Sequence, residues 1–327
     1  MNQKLAFFIV CLAVTNFFCS KPQILINSEN NTRESHRDIV IKVKFSPDGD
    51  LLASGGNDSD IMLWDGKNGK YLRTLPGEYD KIFDIAFLDA GKKITTANYS
   101  GSIIVWDLKK GIQEAIKLDS DFISSFDFAF PENIFFTASW DKSVKVLEIN
   151  SKKVMRECKN RDYQIRTVKY SEKNKLIYAG TSRGYLLRIA PGNCEISNGE
   201  EKKMSDSAIT SLDLNDELSL LAIAFNDGKL ILYDLESLKE IANLQGHKSS
   251  VNAVKINQIY NKIISGDKDG KIFVWDMKTR ENMNFAGHID SVNSIDISPD
   301  GKRMASGSSD HIVKVWSMDK ILFTKKN

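Results

Sequence analysis

The chain has 327 residues, 42% of them hydrophobic, and a formal net charge of +2. This composition can fill a sizeable core, and the length fits either one large domain or two ordinary ones. The nearly balanced charge argues against nucleic acid or a charged membrane surface as a general partner, because neither attracts a protein that lacks a basic excess.

The first segment, residues 1–18, has the pattern of a signal peptide. Lys4 supplies a positive charge, and Leu5–Phe18 is a 14-residue run that only one Thr-Asn step interrupts. Such a run is short for a bilayer span and typical of the apolar part of a signal peptide. The chain turns polar directly afterwards. The sequence therefore predicts an exported protein.

Cys19 follows this apolar run and resembles the lipidation site of bacterial lipoproteins. Phe18 departs from that resemblance, because the cleavage motif has a small residue at this place. The resemblance implies a lipid on Cys19 and a membrane tether. An uncleaved anchor, or cleavage just past Ser20, remains an alternative.

Two further cysteines, Cys158 and Cys194, belong to the body of the chain. They could form a disulfide in an exported protein, or remain partly buried free thiols. Free thiols are the expectation. No Cys/His spacing indicates zinc, and we expect no metal and no cofactor.

One pattern organises the rest of the chain. Gly246-His247 and Gly287-His288 are each followed, 28 residues after the His, by a Trp. Anchoring on that Trp position gives seven units at spacings of 41 to 44 residues. The residues at the anchor position are Trp64, Trp106, Leu147, Ile189, Tyr233, Trp275 and Trp316. A period of about 40–45 residues with Gly-His near its start and Trp-Asp at its end is typical of a β-propeller blade.

These residues resemble the WD40 (WD-repeat) family. The resemblance implies an all-β fold, a seven-bladed β-propeller of four-stranded antiparallel blades that covers residues 22–327. It also implies that an N-terminal strand, here 23–27, closes the ring as the outer edge of the last blade. The tail 321–323 competes for that edge.

The resemblance further implies a hydrogen-bonded chain of His, Ser, Asp and Trp inside each well-preserved unit. The three predicted sets are His36, Ser54, Asp58 and Trp64; His247, Ser265, Asp269 and Trp275; and His288, Ser306, Asp310 and Trp316. Because the same pair of His and Asp recurs in three units without a nucleophile, these residues are predicted to be structural rather than catalytic. Units 2 to 5 have drifted from this pattern and must hold by packing. The insertion 193–203 is expected to be an exposed excursion between units 4 and 5.

In this family, the face that carries the turns between second and third strands is the usual docking surface. The residues predicted to lie on this face, over units 2 to 4, are Lys81, Tyr99, Phe122, Trp140, Tyr163, Gln164 and Arg183. Large aromatic residues together with Arg are typical of binding hot spots. The alternative is that the rings lie flat against their own blades.

Four carboxylates on first strands are the one feature that is compatible with an enzyme. Asp84, Asp127, Asp213 and Asp296 could converge on a metal in the central channel, or could be solvated strand residues. No phosphate loop and no nucleophile elbow occurs.

The sequence therefore predicts a non-catalytic, monomeric scaffold that docks a protein or peptide partner on the aromatic face. The predicted location is the periplasm, outer membrane or cell surface of a bacterium. Three alternatives stay open: a periplasmic propeller hydrolase or lactonase with a channel metal, a lipoprotein that assists outer-membrane assembly, and an intracellular scaffold whose leader is only apparent.

Overall fold

The structure is a computed structural model. It describes residues 24–27, 35–77, 80–111, 113–118, 121–129, 133–160, 162–194 and 201–323. The predicted leader 1–18 and the lipidation site Cys19 lie outside these residues and stay predictions. Within the described part of the chain, no helix is both long and apolar enough to cross a membrane.

The described residues form seven four-stranded antiparallel sheets, the blades of a closed β-propeller. The strands of blades 1 to 4 are β2 (Val40–Phe45), β3 (Leu51–Gly56), β4 (Ile61–Asp65), β5 (Tyr71–Leu75); β6 (Ile82–Leu88), β7 (Lys93–Asn98), β8 (Ser102–Asp107), β9 (Gln113–Lys117); β10 (Ile123–Ala129), β11 (Ile134–Ser139), β12 (Ser143–Glu148), β13 (Lys153–Lys159); β14 (Ile165–Ser171), β15 (Leu176–Thr181), β16 (Tyr185–Ile189) and β17 (Glu201–Lys203). Those of blades 5 to 7 are β18 (Ile209–Asn215), β19 (Leu220–Phe225), β20 (Leu230–Asp234), β21 (Lys239–Leu244); β22 (Val251–Asn257), β23 (Lys262–Asp267), β24 (Lys271–Asp276), β25 (Asn282–Ala286); β26 (Val292–Ile297), β27 (Arg303–Ser308) and β28 (Val313–Ser317), with β1 (Ile24–Asn27) as the outer strand of blade 7. The prediction of seven blades is confirmed.

The core lies between the blades. Each of the seven interfaces between neighbouring blades holds one cluster of buried apolar side chains among the described residues. Between blades 1 and 2, for example, Ile61 and Leu63 pack against Ile82 and Ile85. Burying one such side chain stabilises the fold by roughly 1.5–3 kcal/mol. Each blade therefore buries apolar side chains on both of its faces, as sheets covered on two sides require.

The ring closes through β1, which pairs antiparallel with β28 and sets Ile24 opposite Trp316. The prediction of an N-terminal closing strand is therefore confirmed. The competing tail instead forms α1 (Met318–Phe323), a short helix that buries Met318 and Ile321.

Every innermost strand carries the same irregularity. In all seven blades, the register with the second strand shifts between the first and the third residue of the innermost strand. The second residue is thus the extra residue of a β-bulge, and bulges re-aim side chains at the rims of closed sheets. These second residues line the mouth of the central channel.

Blade 4 departs from two expectations. The insertion 193–203 is not wholly an excursion, since its last residues form β17 and pair with β16. Cys158 and Cys194 are joined by a disulfide rather than present as free thiols. Cys158 lies on the outer strand of blade 3 and Cys194 follows the third strand of blade 4, so the bond links two neighbouring blades.

Candidate partner-binding site

Blades 1 and 7 contain the predicted polar chains. In blade 7, His288 Nδ1 lies 2.8 Å from Asp310 and its Nε2 lies 2.7 Å from Ser306 Oγ. The Trp316 indole N–H donates to the same hydroxyl at 2.9 Å. Since an ionised carboxylate only accepts, Nδ1 carries the proton and Nε2 accepts from the serine. In blade 1, the corresponding distances from His36 are 2.9 Å to Asp58 and 2.7 Å to Ser54, and Trp64 donates to Ser54 at 2.9 Å.

The carboxylates of Asp58 and Asp310 are ionised, and in this form they bind the loops around them. Burial alone would raise the pKa of Asp58 and of Asp310, but the hydrogen bond from the adjoining histidine and those from backbone N–H donors lower both below the ordinary value. Asp58 accepts from the backbone N–H of Arg37, and Asp310 from that of Ile289. The role of these chains is therefore to tie two loops together.

Blade 6 corrects one predicted residue. His247 Nδ1 bonds to Asp267 at 2.8 Å, not to Asp269, whereas Ser265 and Trp275 complete the chain as in blades 1 and 7. Asp267 ends β23 and is 1% exposed, so its carboxylate meets the ring directly. Asp269 is exposed on the turn and donates its backbone N–H to Asp267. The sequence offers two Asp residues two positions apart, and periodicity alone selected the wrong one.

The drifted blades retain fragments of the pattern. In blade 2, Trp106 donates to Thr96 at 3.4 Å. In blade 3, buried Lys145 pairs with Asp141 at 3.0 Å. Packing at the blade interfaces therefore carries more of the stability in this half of the ring.

The four first-strand aspartates join neighbouring blades. Each accepts a backbone N–H from the first strand of the next blade; the bonds are Phe126 to Asp84 (3.1 Å), Tyr170 to Asp127 (2.9 Å), Ile256 to Asp213 (2.8 Å) and Phe45 to Asp296 (2.8 Å). Each is also ion-paired; the pairs are Lys42–Asp84 (2.8 Å), Lys169–Asp127 (3.6 Å), Lys255–Asp213 (3.1 Å), Lys255–Asp296 (3.2 Å) and Lys44–Asp296 (3.2 Å). The expectation of solvated strand residues is wrong for Asp84, Asp213 and Asp296, which are at most 9% exposed.

The fifth residue of the innermost strands forms a ring of alternating charge. In blade order these residues are Lys44, Ala86, Asp127, Lys169, Asp213, Lys255 and Asp296. Blade 2 has alanine at this position and places its carboxylate, Asp84, two residues earlier, opposite Lys42. Opposite charges therefore meet around the channel wall. We call these lysines and aspartates, together with Lys42 and Asp84, the charge ring.

The charge ring opposes the channel-metal alternative. A divalent cation would have to displace lysine ammonium groups that already lie at the carboxylates. Among the described residues, no group of three or more His, Cys, Asp or Glu is placed to hold a metal. The four aspartates are accounted for as links between blades.

Three of the predicted face residues, Tyr99, Phe122 and Trp140, lie in one stack of aromatic rings. The Phe122 ring lies 5.9 Å from Tyr99 and 4.4 Å from Trp140 between centroids. Phe83 joins them, 4.8 Å from Phe122 and 6.3 Å from Tyr99. Tyr99 is 59% exposed, and the other three rings are half-buried. We call Phe83, Tyr99, Phe122 and Trp140 the aromatic cluster.

The other predicted face residues do not join the stacked rings, although the carbonyl of Lys81 accepts the backbone N–H of Tyr99 at 2.9 Å. Tyr163 stacks on Tyr185 at 4.8 Å, and their hydroxyl contact raises the pKa of Tyr163. Arg183 and Lys81 are exposed, while Gln164 is half-buried and accepts a backbone bond from Ser182. The predicted face therefore divides, and its compact part is the aromatic cluster over blades 2 and 3.

Two residues of the site escaped the sequence analysis, Phe83 and Arg166. Both are second residues of first strands, the bulge position that lines a cavity of about 270 Å³ at the channel mouth. The seven mouth residues are apolar in blades 1 and 2 (Ile41 and Phe83), cationic in blade 4 (Arg166), and neutral and polar elsewhere (Ser124, Thr210, Asn252 and Asn293). The signal was present as one register position per repeat, but strict alternation does not show where a bulge turns a side chain.

The fold and the polar chains define a WD-repeat β-propeller. The family model described as "WD domain, G-beta repeat" matches residues 27–65, 69–107, 116–147, 238–276 and 280–317, together more than half of the chain. The chain belongs to the WD40 family. The unmatched stretch 148–237 contains blade 4 and most of blade 5, which fold as blades although their polar chains have drifted.

Individual relatives share the repeat at low identity. The chain is 23% identical to Autophagy-related protein 16 of Arabidopsis thaliana over 253 residues, which are 77% of this chain and 41% of that protein. It is 23% identical to human Pre-mRNA-processing factor 17 over 262 residues, 75% of this chain and 44% of that protein. A shorter match, 46% identical over 81 residues and 24% of either chain, is to the Small ribosomal subunit protein RACK1 of Caenorhabditis elegans. The chain thus spans about half or less of the length of these relatives.

These relatives correct the predicted location. They are eukaryotic proteins whose names refer to autophagy, pre-mRNA processing and the small ribosomal subunit. Such proteins point to the cytosol or nucleus. The prediction of a bacterial periplasm, outer membrane or cell surface is wrong.

Proposed function

We propose that this chain is a non-catalytic interaction scaffold that docks a protein or peptide partner on the aromatic cluster at the channel mouth. One observation carries the proposal: four rings from two neighbouring blades stack together, and the outermost, Tyr99, is 59% exposed. Soluble proteins seldom leave contiguous aromatic surface open to water without a use for it.

The composition of the surface favours a peptide or protein as the occupant. Binding hot spots are enriched in Trp, Tyr and Arg, and aromatic side chains lose little conformational entropy when they are already packed. Phe122 packs between Tyr99 and Trp140, so the rings are arranged before a partner arrives. The rest of the ring supplies rigidity through its closed sheets and polar chains.

The relatives favour the same class of function without naming the partner. Their names refer to multi-component processes, and no partner of theirs is transferred to this chain. Among the alternatives, the intracellular scaffold agrees best with them. We expect a monomer, since the ring is closed by its own strand β1 and needs no second chain.

A photo-crosslinking experiment tests the proposal. A photoreactive phenylalanine analogue replaces Tyr99, and crosslinked partners are identified by mass spectrometry with and without Trp140→Ala. Phe323→Ala is the matched control, because Phe323 is 68% exposed but lies on α1, away from the cluster. We expect Trp140→Ala to abolish the specific crosslinks and Phe323→Ala to preserve them. Crosslinks that survive both substitutions equally would remove the aromatic cluster as the docking surface.

A further inference from the structure

Most polar side chains at the channel mouth are occupied by the fold itself. Asn252 donates to Ser291 Oγ at 2.8 Å, and Asn293 donates to the carbonyl of Val40 at 2.9 Å. The serine and threonine of the mouth also donate to backbone carbonyls. These bonds tie neighbouring blades or strands together, so the amide and hydroxyl donors are already committed to the ring.

Arg166 is the exception. Its guanidinium makes no hydrogen bond and no ion pair with any residue the structure describes, and its carbon atom lies 5.9 Å from the centre of the Trp140 ring. Burial lowers the pKa of Arg166, and no nearby charge counters that effect. A half-buried cation without an acceptor is costly, whether or not an aromatic face attracts it.

The charge ring below does not compensate Arg166. Its cations Lys42, Lys44, Lys169 and Lys255 each have an aspartate within 3.6 Å. Each aspartate also accepts a backbone N–H. The charges within the channel wall therefore balance, and the excess positive charge of the described channel sits at the mouth, beside the aromatic cluster.

This arrangement selects an anion over a cation. A ligand ammonium would be repelled by the guanidinium that already faces Trp140. A carboxylate can take two parallel N–H bonds from the edge of the guanidinium while the indole packs against its face. An isolated small anion would leave the neighbouring rings Phe122 and Tyr99 uncovered, whereas a peptide can cover them with an apolar side chain.

We propose that the docked partner presents an acidic peptide segment, in which an Asp or Glu side chain binds Arg166 at the channel mouth and an adjacent apolar or aromatic side chain packs on Phe122 and Tyr99. This inference rests on the proposed function of the aromatic cluster. It adds the chemical class of the partner and the residue that selects it.

Paired peptide arrays test the inference with the full chain. One array displays short random peptides with a fixed central Glu beside an aromatic residue, and the second displays the same peptides with Gln at that place. For peptides that bind, we expect the Glu member to bind more tightly by roughly ten- to a hundredfold, the range of a hydrogen-bonded charge. Arg166→Gln should abolish that difference, and Arg166→Lys should restore part of it.

Arg183→Gln is the matched control, since Arg183 is an exposed arginine of the same blade outside the cavity lining. Urea unfolding of each variant verifies that the ring is intact. Equal binding of Glu and Gln peptides, or a difference that survives Arg166→Gln, overturns the acidic-peptide inference. If Trp140→Ala still abolishes binding in that case, the proposed docking surface stands by itself. If no peptide of either array binds in a Trp140-dependent way, both proposals fail.

Discussion

Asp296 offers the sharpest test of how the ring is held closed. It lies on the last blade, is 3% exposed, accepts the Phe45 N–H of the first blade and pairs with Lys44 and Lys255. Burial alone would raise the pKa of this carboxyl, but the two lysines and the backbone donor lower it from 3.8 to about 2. Since a tenfold change in an acid constant corresponds to about 1.4 kcal/mol, ionised Asp296 contributes roughly 2–3 kcal/mol to the free energy of unfolding at neutral pH.

The substitution Asp296→Asn keeps the shape and the acceptor oxygen but removes the charge. We expect it to lower the free energy of unfolding by about 2–4 kcal/mol at pH 7, because half-buried Lys44 loses its carboxylate partner and the buried Phe45 N–H loses a charged acceptor. A lowered carboxylate pKa stabilises the fold above the unfolded value and loses this effect as pH falls toward the folded value. The gap between variant and wild type should therefore narrow as pH falls from about 4 toward 2.

Urea unfolding followed by tryptophan fluorescence at several pH values measures this gap, and hydrogen exchange of the Phe45 amide locates it. Asp206→Asn is the control, because the Asp206 side chain is fully exposed and its pair with Lys203 lies on the surface, where ion pairs contribute little to stability. A loss at pH 7 no larger than that of the control, or one that stays constant with pH, would refute the reasoning.

Four other substitutions, one of them a control, test the polar chains and the disulfide by urea unfolding. Asp267→Asn should lower the free energy of unfolding by about 1–3 kcal/mol, because His247 of blade 6 loses its charged partner. Asp269→Asn should change it by no more than about 0.5 kcal/mol, because Asp269 is exposed. The reverse order would mean that Asp269, as the repeat spacing predicts, is the partner of His247. Ser306→Ala should lower the free energy of unfolding by about 2–4 kcal/mol, since a buried indole N–H and a histidine nitrogen both lose their hydrogen-bond partner. A loss below about 0.5 kcal/mol would contradict the hydrogen-bonded chain of His, Ser, Asp and Trp in blade 7. Cys194→Ser should cost about 2–4 kcal/mol, because Cys158 and Cys194 close a loop with a sequence separation of 36. A wild-type protein equally stable with and without dithiothreitol would show that this bond contributes nothing.

The fold was predictable because the same pattern of residues recurs in the sequence once per blade. The anchor position identified all seven third strands, including those where Leu147, Ile189 or Tyr233 replaces Trp, since apolar burial rather than the indole defines that position. The closing strand was predictable because the segment 23–27 has β-branched character and belongs to no blade of its own. The disulfide was not predictable, because spacing does not show whether the outer strand of one blade and the segment after the third strand of the next bring their sulfur atoms together.

The site was predictable only in part. Tyr99 and Trp140 follow second strands and Phe122 precedes a first strand, so the repeat pattern alone places them on one face of the propeller. Their contact with Phe83 and Arg166 depends on bulges, which shift side chains without leaving a mark in the alternation of residues. Asp127 and Asp213 illustrate the same limit, because only the structure shows that their partners come from the neighbouring blade.

The parity of the charge ring has a consequence for the whole molecule. Two signs can be placed in strict alternation around a circle only when the number of places is even, and this circle has seven. One place must therefore be neutral or face its own sign, and here Ala86 takes the neutral place in blade 2. That blade also carries Phe83 and Tyr99, so the sector where electrostatic alternation has to break is the sector where the aromatic surface begins. An odd number of blades thus gives an otherwise repetitive ring one side that differs from the rest.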